Sequence, residues 1–413
     1  MKLLLLTVFS FSAFAFEISV SGNSRTDTDV VITELSDLMS AEISPEIIKE
    51  AKRRIWNLRL FSSVEIIKFD NTLKIEVTER WTTIPIAKFS SGGDTTYFAL
   101  GAYDINTLGQ NLELGAQYEE LNERPAGVVW FRKPQFIDNR NLNIGMDFWT
   151  INRIRLFYDT KGEEVGAYTL IRKRVNTFLE YKWDDDFYLL GAQFDFHNDE
   201  VSEFGLSNEL IQKNLSNDLN FKGSSINKIY KVYFRLGRVN FQNYLVDGTD
   251  AKIESSLVST STGDETLSDS IFTFRHYTLF DNNMNFAWQF SLESTNLENI
   301  QYQKFVGGFS EVRGYKDGQF YDQAIWKNNL EFRFDVLENK IGVIQGAVFS
   351  DQAKEGKNIN DSFNSSNEVL LSSGFGIRLI SPQIFRFVAR LDYAMTHTRY
   401  VDQSISFGIQ QFF

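Results

Sequence analysis

The chain contains no cysteine, which excludes a disulfide framework, a thiolate zinc site and a thiol nucleophile. Its three histidines, His197, His276 and His397, are too few and too scattered for a histidine metal centre, so neither a metal nor a cofactor is expected. Only 5 prolines in 413 residues, with aromatics at 15%, exclude a disordered or low-complexity polypeptide. Cationic side chains are in deficit. With 42 Lys and Arg against 54 Asp and Glu the net charge is −12, and a nucleic-acid partner, bound by displacing phosphate counterions, is not expected. After the first residues no stretch approaches the roughly 18 uninterrupted apolar residues of a spanning helix. That absence does not speak against a membrane β-barrel, in which lipid-facing and lumen-facing residues alternate and average out.

What is present starts with a leader. Lys2 precedes the apolar run from Leu3 to Phe14, and Ala13 and Ala15 supply small residues where signal peptidase reads, so residues 1–15 read as a signal peptide. Residues 16–82 then carry mixed periodicities. Phe16, Ile18 and Val20 alternate as a strand ending at the Gly22-Asn23 turn signal; residues 28–39 predict a helix with Val31, Leu35 and Leu38 on one face. Ser44 and Pro45 open a second helix carrying Ile48, Ala51, Ile55 and Leu58. Two alternating segments, 61–66 and 73–77, flank an Asp70-Asn71 turn, giving a β-α-α-β-β unit large enough to fold alone.

Over residues 83–413 helical spacing disappears and alternation dominates. Leu190, Ala192, Phe194 and Phe196 oppose Gln193, Asp195 and His197; Tyr230, Val232, Phe234 and Leu236 oppose Lys231 and Arg235; Trp326, Leu330, Phe332 and Phe334 oppose Lys327, Asn329, Glu331, Arg333 and Asp335; Phe385, Phe387, Ala389 and Leu391 oppose Arg386, Arg390 and Asp392. A soluble sandwich would show the same pattern. The leader, the alternation of short turns (106–110, 184–186, 281–283, 338–340, 381–383) with long loops (199–226, 297–324, 352–367), and the final aromatic Phe413 decide for a membrane barrel of about sixteen strands, apolar outside and charged inside.

Gly307-Gly308, followed by Val312-Arg313-Gly314-Tyr315, resembles the loop motif of the BamA/TamA superfamily of outer-membrane insertases and translocons, the bacterial surface antigen (D15) family. Residues 16–82 resemble its periplasmic POTRA domain in element order, in Gly22-Asn23 and in Leu60-Phe61-Ser62-Ser63-Val64; residues 104–109 resemble its early barrel turn, and Gly374-Phe375-Gly376-Ile377-Arg378 its penultimate hairpin. The resemblance implies a Gram-negative outer-membrane protein with the N-terminal domain in the periplasm, and Phe413 as the signal read by assembly machinery. It further implies a weakly paired seam between residues 84–91 and 401–413 to which a client strand could add, no enzymatic activity, and contact with outer-membrane lipids. One POTRA-like unit leaves any periplasmic partner in doubt, and the oligomeric state, homodimer included, stays open. Two other functions remain: a passive pore or receptor lined by Lys231, Arg235, Arg386 and Arg390, and a dedicated secretion-partner translocator.

The loop holding Arg313 is long enough to fold into the lumen, where an unpaired charge would cost several kcal/mol. Asp351, offered by strand parity and by the family pattern, is the first candidate partner, and Asp392, lumen-facing by parity, the second. The remaining charged groups take plainer readings: Asp184-Asp185-Asp186 as a solvated turn tip, Glu119-Glu120 and Glu163-Glu164 as loop charges, the histidines as lumen residues, and the seven tryptophans mostly as an interfacial girdle.

Overall fold

The two periodicities become two architectures in the computed structural model, which describes residues 16–92, 95–121, 123–159, 162–219, 223–242, 244–261, 267–280, 283–296, 302–339, 342–381, 388–399 and 401–409. The proposed leader, Phe385, Arg386, Phe387 and the terminal Phe412-Phe413 lie outside the described residues.

The N-terminal module runs β1 (Glu17–Ser21), α1 (Thr28–Leu35), α2 (Pro45–Leu58), β2 (Phe61–Phe69) and β3 (Thr72–Glu79). Its sheet has the order β1-β3-β2, with β1 parallel and β2 antiparallel to β3. Ser44 caps α2 by accepting the Ile47 N–H at 3.3 Å, with Pro45 at the first helical position, where its missing N–H costs nothing. Val31, Leu35, Ala51 and Ile55, the residues at helical spacing, are fully buried. Helix α1 ends at Leu35, short of the expected Met39, and a 3-10 turn follows over Leu38–Ser40. The Ser36 hydroxyl bonds back to Thr33 O at 2.9 Å, the local competition that ends helices at such residues, and Asp37 is drawn to Arg54.

Sixteen strands close an antiparallel barrel. They are β4 (Thr83–Gly92), β5 (Thr95–Asp104), β6 (Glu113–Leu121), β7 (Arg124–Lys133), β8 (Leu142–Tyr158), β9 (Glu164–Trp183), β10 (Tyr188–Ser202), β11 (Gly223–Gln242), β12 (Leu245–Thr260), β13 (Leu267–Phe280), β14 (Met284–Thr295), β17 (Ala324–Glu338), β18 (Val343–Gly356), β19 (Leu370–Ile380), β20 (Val388–Thr396) and β21 (Gln403–Ile409). The small hairpin β15 (Lys304–Val306) and β16 (Phe320–Asp322) forms a sheet of its own within the loop between β14 and β17. Helix α3 (Asn208–Ser216) follows β10, and α4 (Ile359–Asn364) follows β18.

Alternation sorts the faces as a membrane barrel requires. Leu190 and Phe194 are 48% and 37% exposed on the outside, while Asp195 is 3% exposed inside, paired with Arg174 at 3.0 Å. A soluble sandwich would bury the first set and expose the second.

Several plain readings are corrected. Glu119 is a buried lumen residue of β6, paired with Arg153 at 2.6 Å and accepting from the Tyr97 hydroxyl at 3.0 Å, because its parity and not its acidity sets its face. Of the histidines only His197 faces the lumen; His276 bonds Thr249 and Thr278, and His397 bonds Ser373, from outward-facing register positions. Trp56 packs with the N-terminal core, and Trp130 donates to Glu113 at 2.6 Å from the lumen side, so neither belongs to a girdle. Trp183 does, stacked on Tyr188 and beside Phe234 at the turn end.

The core of the N-terminal module does not stop at residue 82. Val31, Ile55, Phe61 and Val77 share one buried cluster with Ile84, Ile86, Tyr103 and Ile105 of the barrel. The module is seated on the turn end of the barrel, leaving a cavity of about 520 Å³ between α2 and the lumen wall around Trp130, Arg132 and Asp147.

Candidate functional site: the lumen latch, the module clamp and the seam

The loop between β14 and β17 folds into the barrel because its glycines permit bends other residues resist. Gly307 has φ +127°, and a Cβ there would stand 2.3 Å from Lys316 O; Gly314 has φ +100° and lies against Thr396. Val312 and Tyr315 are then buried with Phe320, Ile325 and Leu370, and the Tyr315 hydroxyl accepts the Leu371 N–H at 3.2 Å. Gly308 and Val312 form an isolated bridge that closes the turn around Arg313.

Arg313 is 1% exposed. Its Nε and Nη2 fork onto Asp351 at 2.7 and 3.0 Å, its backbone N–H reaches the same carboxylate at 3.2 Å, and its Nη1 donates to Glu331 at 2.8 Å. The guanidinium also lies 3.4 Å over the Phe349 ring. Asp392 is 3.7 Å from Nη1 and belongs chiefly to Arg378, which also donates to Glu331 at 3.2 Å. Asn329 donates to Asp351 at 3.0 Å, Arg333 to Glu331 at 2.8 Å, and Arg390 reaches Phe309 O at 3.5 Å. Arg313 of the loop thus interlocks with Arg333, Arg378 and Arg390 and with the three carboxylates on β17 to β20, the arrangement that makes burial of so many charges tolerable. Glu331, Arg333 and Arg378 carry much of this centre without having been singled out. The signal was available, since Glu331 and Arg333 occupy the charged register of β17, but parity names every lumen residue alike.

A second charged centre joins the N-terminal module to the barrel turns, where Asp184-Asp185-Asp186 proves to be a docking point and not a solvated tip. Asp185 pairs with Arg53, with Arg54 at 3.1 Å and with Arg238. Arg54 also donates to Asp37 and Glu50, both at 2.6 Å. Gln135, in the next turn, donates to Glu34 at 2.9 Å, and Arg140 reaches Glu34 at 3.4 Å. Asn106 bonds Thr26 at 2.9 Å, and Arg59 lies 3.8 Å over Phe241. No spacing rule links residue 54 to residue 185, so this clamp was invisible in the sequence.

Burial pushes the Glu50 carboxyl up, but hydrogen bonds from Arg53 and Arg54 outweigh it and hold the group well below its ordinary 4.5. Its contribution to docking is therefore present above pH 4.5 and lost as pH falls through the depressed value. Glu34 runs the other way: burial, only partly offset by Arg140, raises it, so its contribution is present at low pH and fades as pH rises through the folded value. Asp185→Asn is expected to increase hydrogen exchange across α2 at least fivefold at neutral pH, with the barrel still heat-modifiable; unchanged exchange would remove the clamp.

The seam completes the site. Strands β4 and β21 close the barrel, and their described residues pair Ser91 with Ile405, Ser90 with Ser406 and Phe89 with Phe407.

The model of the Omp85 superfamily domain matches residues 62–413. The chain belongs to the Omp85 superfamily. Among solved structures this Omp85 chain is similar to BamA from Haemophilus ducreyi lacking POTRA domains 1-3, with 15% identity, TM-score 0.58, and 96% of this chain and 84% of that one covered. It is similar also to CdiB from Acinetobacter baumannii (11% identity, TM-score 0.66, coverage 97% and 74%) and to CdiB from Escherichia coli (10%, 0.68, 95% and 76%). A search of curated protein sequences found no match. The Omp85 barrel is an outer-membrane protein, and its latch is built on the same loop motif that the sequence resemblance rested on.

Proposed function

We propose that this Omp85 barrel assists the insertion or translocation of a polypeptide at the seam between β4 and β21, without covalent chemistry, and that residues 16–82 act as a POTRA-like handle in the periplasm. The observation that carries the reading is that the first and last barrel strands meet edge to edge, the described residues pairing Ser91 with Ile405, Ser90 with Ser406 and Phe89 with Phe407. Opening this seam exchanges backbone hydrogen bonds, each worth about 1 kcal/mol net, for two free edges to which a client strand can add.

A passive pore is less well supported. The latch loop occupies the lumen, with Asp317 paired to Arg155 at 3.2 Å and Phe309 5.3 Å from Tyr97 between ring centres.

Because the chain has no cysteine, Ser90→Cys with Ser406→Cys gives one unambiguous lock across the seam. Oxidation is expected to reduce insertion of a denatured barrel client into proteoliposomes at least tenfold, and reduction to restore it. Full activity of the locked protein would overturn the seam reading.

A further inference from the structure

The outer wall carries a second feature that the seam does not use. On the face formed by β5 to β11, the outward positions from the turn end upward are apolar: Leu100, Tyr118, Val129, Phe148 and Val175 are each between 37% and 56% exposed. Ala116 and Gly127, also outward by parity and neighbours of Tyr118 and Val129 in the register, leave a groove of about 950 Å³ between the larger side chains. Fold geometry does not demand this glycine. A Cβ at Gly127 would meet Gln117 O at 3.4 Å and Thr150 at 3.8 Å, which is ordinary contact, so a larger residue would fit the strand and fill the groove.

The groove ends in positive charge. Lys173 of β9 lies beside Thr150 and Asn198 in one row, and Lys228 of β11 lies beside Phe196 in the row below. Both lysines are exposed, both face outward in the register, and neither forms an ion pair among the described residues. Two strand spacings separate them, about 10 Å. The acids of this face, Glu120 and Glu200, stand one row nearer the loops, and Glu120 accepts from the Tyr118 hydroxyl at 2.7 Å. Exposed lysines at the upper margin of a lipid-facing apolar groove match an anionic headgroup above a buried chain.

We propose that this face binds a phosphorylated lipid of the external leaflet, one acyl chain lying in the Ala116–Gly127 groove and the phosphate oxygens meeting Lys173 and Lys228. The inference rests on the reading that puts the N-terminal module in the periplasm, which makes the loop end external.

The test is retention of bis-phosphorylated lipid A by the purified full-length protein, measured by native mass spectrometry, with heat-modifiable mobility as the check on folding. Wild type is expected to retain the lipid about tenfold better than Lys173→Gln/Lys228→Gln. Lys173→Arg/Lys228→Arg should restore retention, and Gly127→Leu should lower it at least fivefold by filling the groove. Dephosphorylated lipid A should bind like the double glutamine variant, and inorganic phosphate should not compete at millimolar concentration. Equal retention by wild type and Lys173→Gln/Lys228→Gln would overturn the proposal, as would equal binding of the dephosphorylated lipid or full competition by free phosphate. The oxidised seam-locked protein should bind lipid A as well as the reduced form does, so failure of the seam reading and failure of this site are separately visible.

Discussion

Arg313→Ala is expected to leave a folded barrel whose latch loop has come loose. The guanidinium is enclosed, and its removal leaves Asp351 with only the Asn329 amide as a side-chain donor among the described residues, while Glu331 keeps Arg333 and Arg378. Breaking a buried pair in this way costs about 3 to 5 kcal/mol. The sixteen-strand hydrogen-bond network does not depend on that side chain, and the barrel should therefore still form. Proteolysis of the membrane-embedded protein should cut within 302–323 at least tenfold faster than in wild type. Asp351→Asn should reproduce most of the effect, since it removes the forked acceptor and leaves the bond to Glu331; the double variant should cost less than the sum, because contacting residues do not add. Asp392→Asn should act more weakly on the loop, Asp392 being 3.7 Å from Arg313 and bonded to Arg378. If Arg313→Ala is cut no faster than wild type, the latch holds nothing; if Asp392→Asn outranks Asp351→Asn, the partner is misassigned.

A comparable loss is expected from adding one carbon elsewhere. Gly376, in β19, lies opposite Asp392 in the register, and a Cβ there would stand 2.1 Å from Asp392 Oδ1, 2.5 Å from Arg378 Nη1 and 2.8 Å from Leu391 O. The first two atoms are side-chain ends, but they are held in a buried ion network and cannot swing away without breaking it. Gly376→Ala should therefore separate Arg378 from Asp392 and cost about 3 kcal/mol, the middle of the range for overpacking combined with a broken buried pair. Gly408→Ala is the control, because its Cβ would meet Arg390 Nε at an ordinary 3.4 Å. Urea titration of the heat-modifiable fraction would separate the two. Equal midpoints for both variants would show that the network yields easily and that its rigidity is not what holds the loop.

Much of this architecture was legible in order of residues. Alternation at period 2 depends only on strand geometry, and it assigned Asp195, Arg235, Glu331 and Asp351 to one face and Leu190, Phe194 and Phe332 to the other without reference to any partner. The expected leader and the turn spacing then favour a membrane barrel over a soluble sandwich, a choice that periodicity alone leaves open. The motif at 307–315 marked the loop that enters the lumen, and its unpaired arginine demanded a carboxylate. Helix α1 is shorter than its apolar stripe, which continues through Leu38, because Ser36 and Asp37 find better bonds outside a helix.

The barrel and its facing pattern follow from local strand geometry repeated along the chain, which residue order alone carries. Tertiary structure alone decided which charges meet: that Arg313 is shared between Asp351 and Glu331, that Asp392 serves Arg378, that Glu119 is buried, and that Asp185 holds Arg53 and Arg54 of α2. The physical reason is that a lumen is a common space. Parity says a side chain points into it, but the pairing within depends on barrel curvature, on register across strands far apart in sequence, and on how far each side chain reaches.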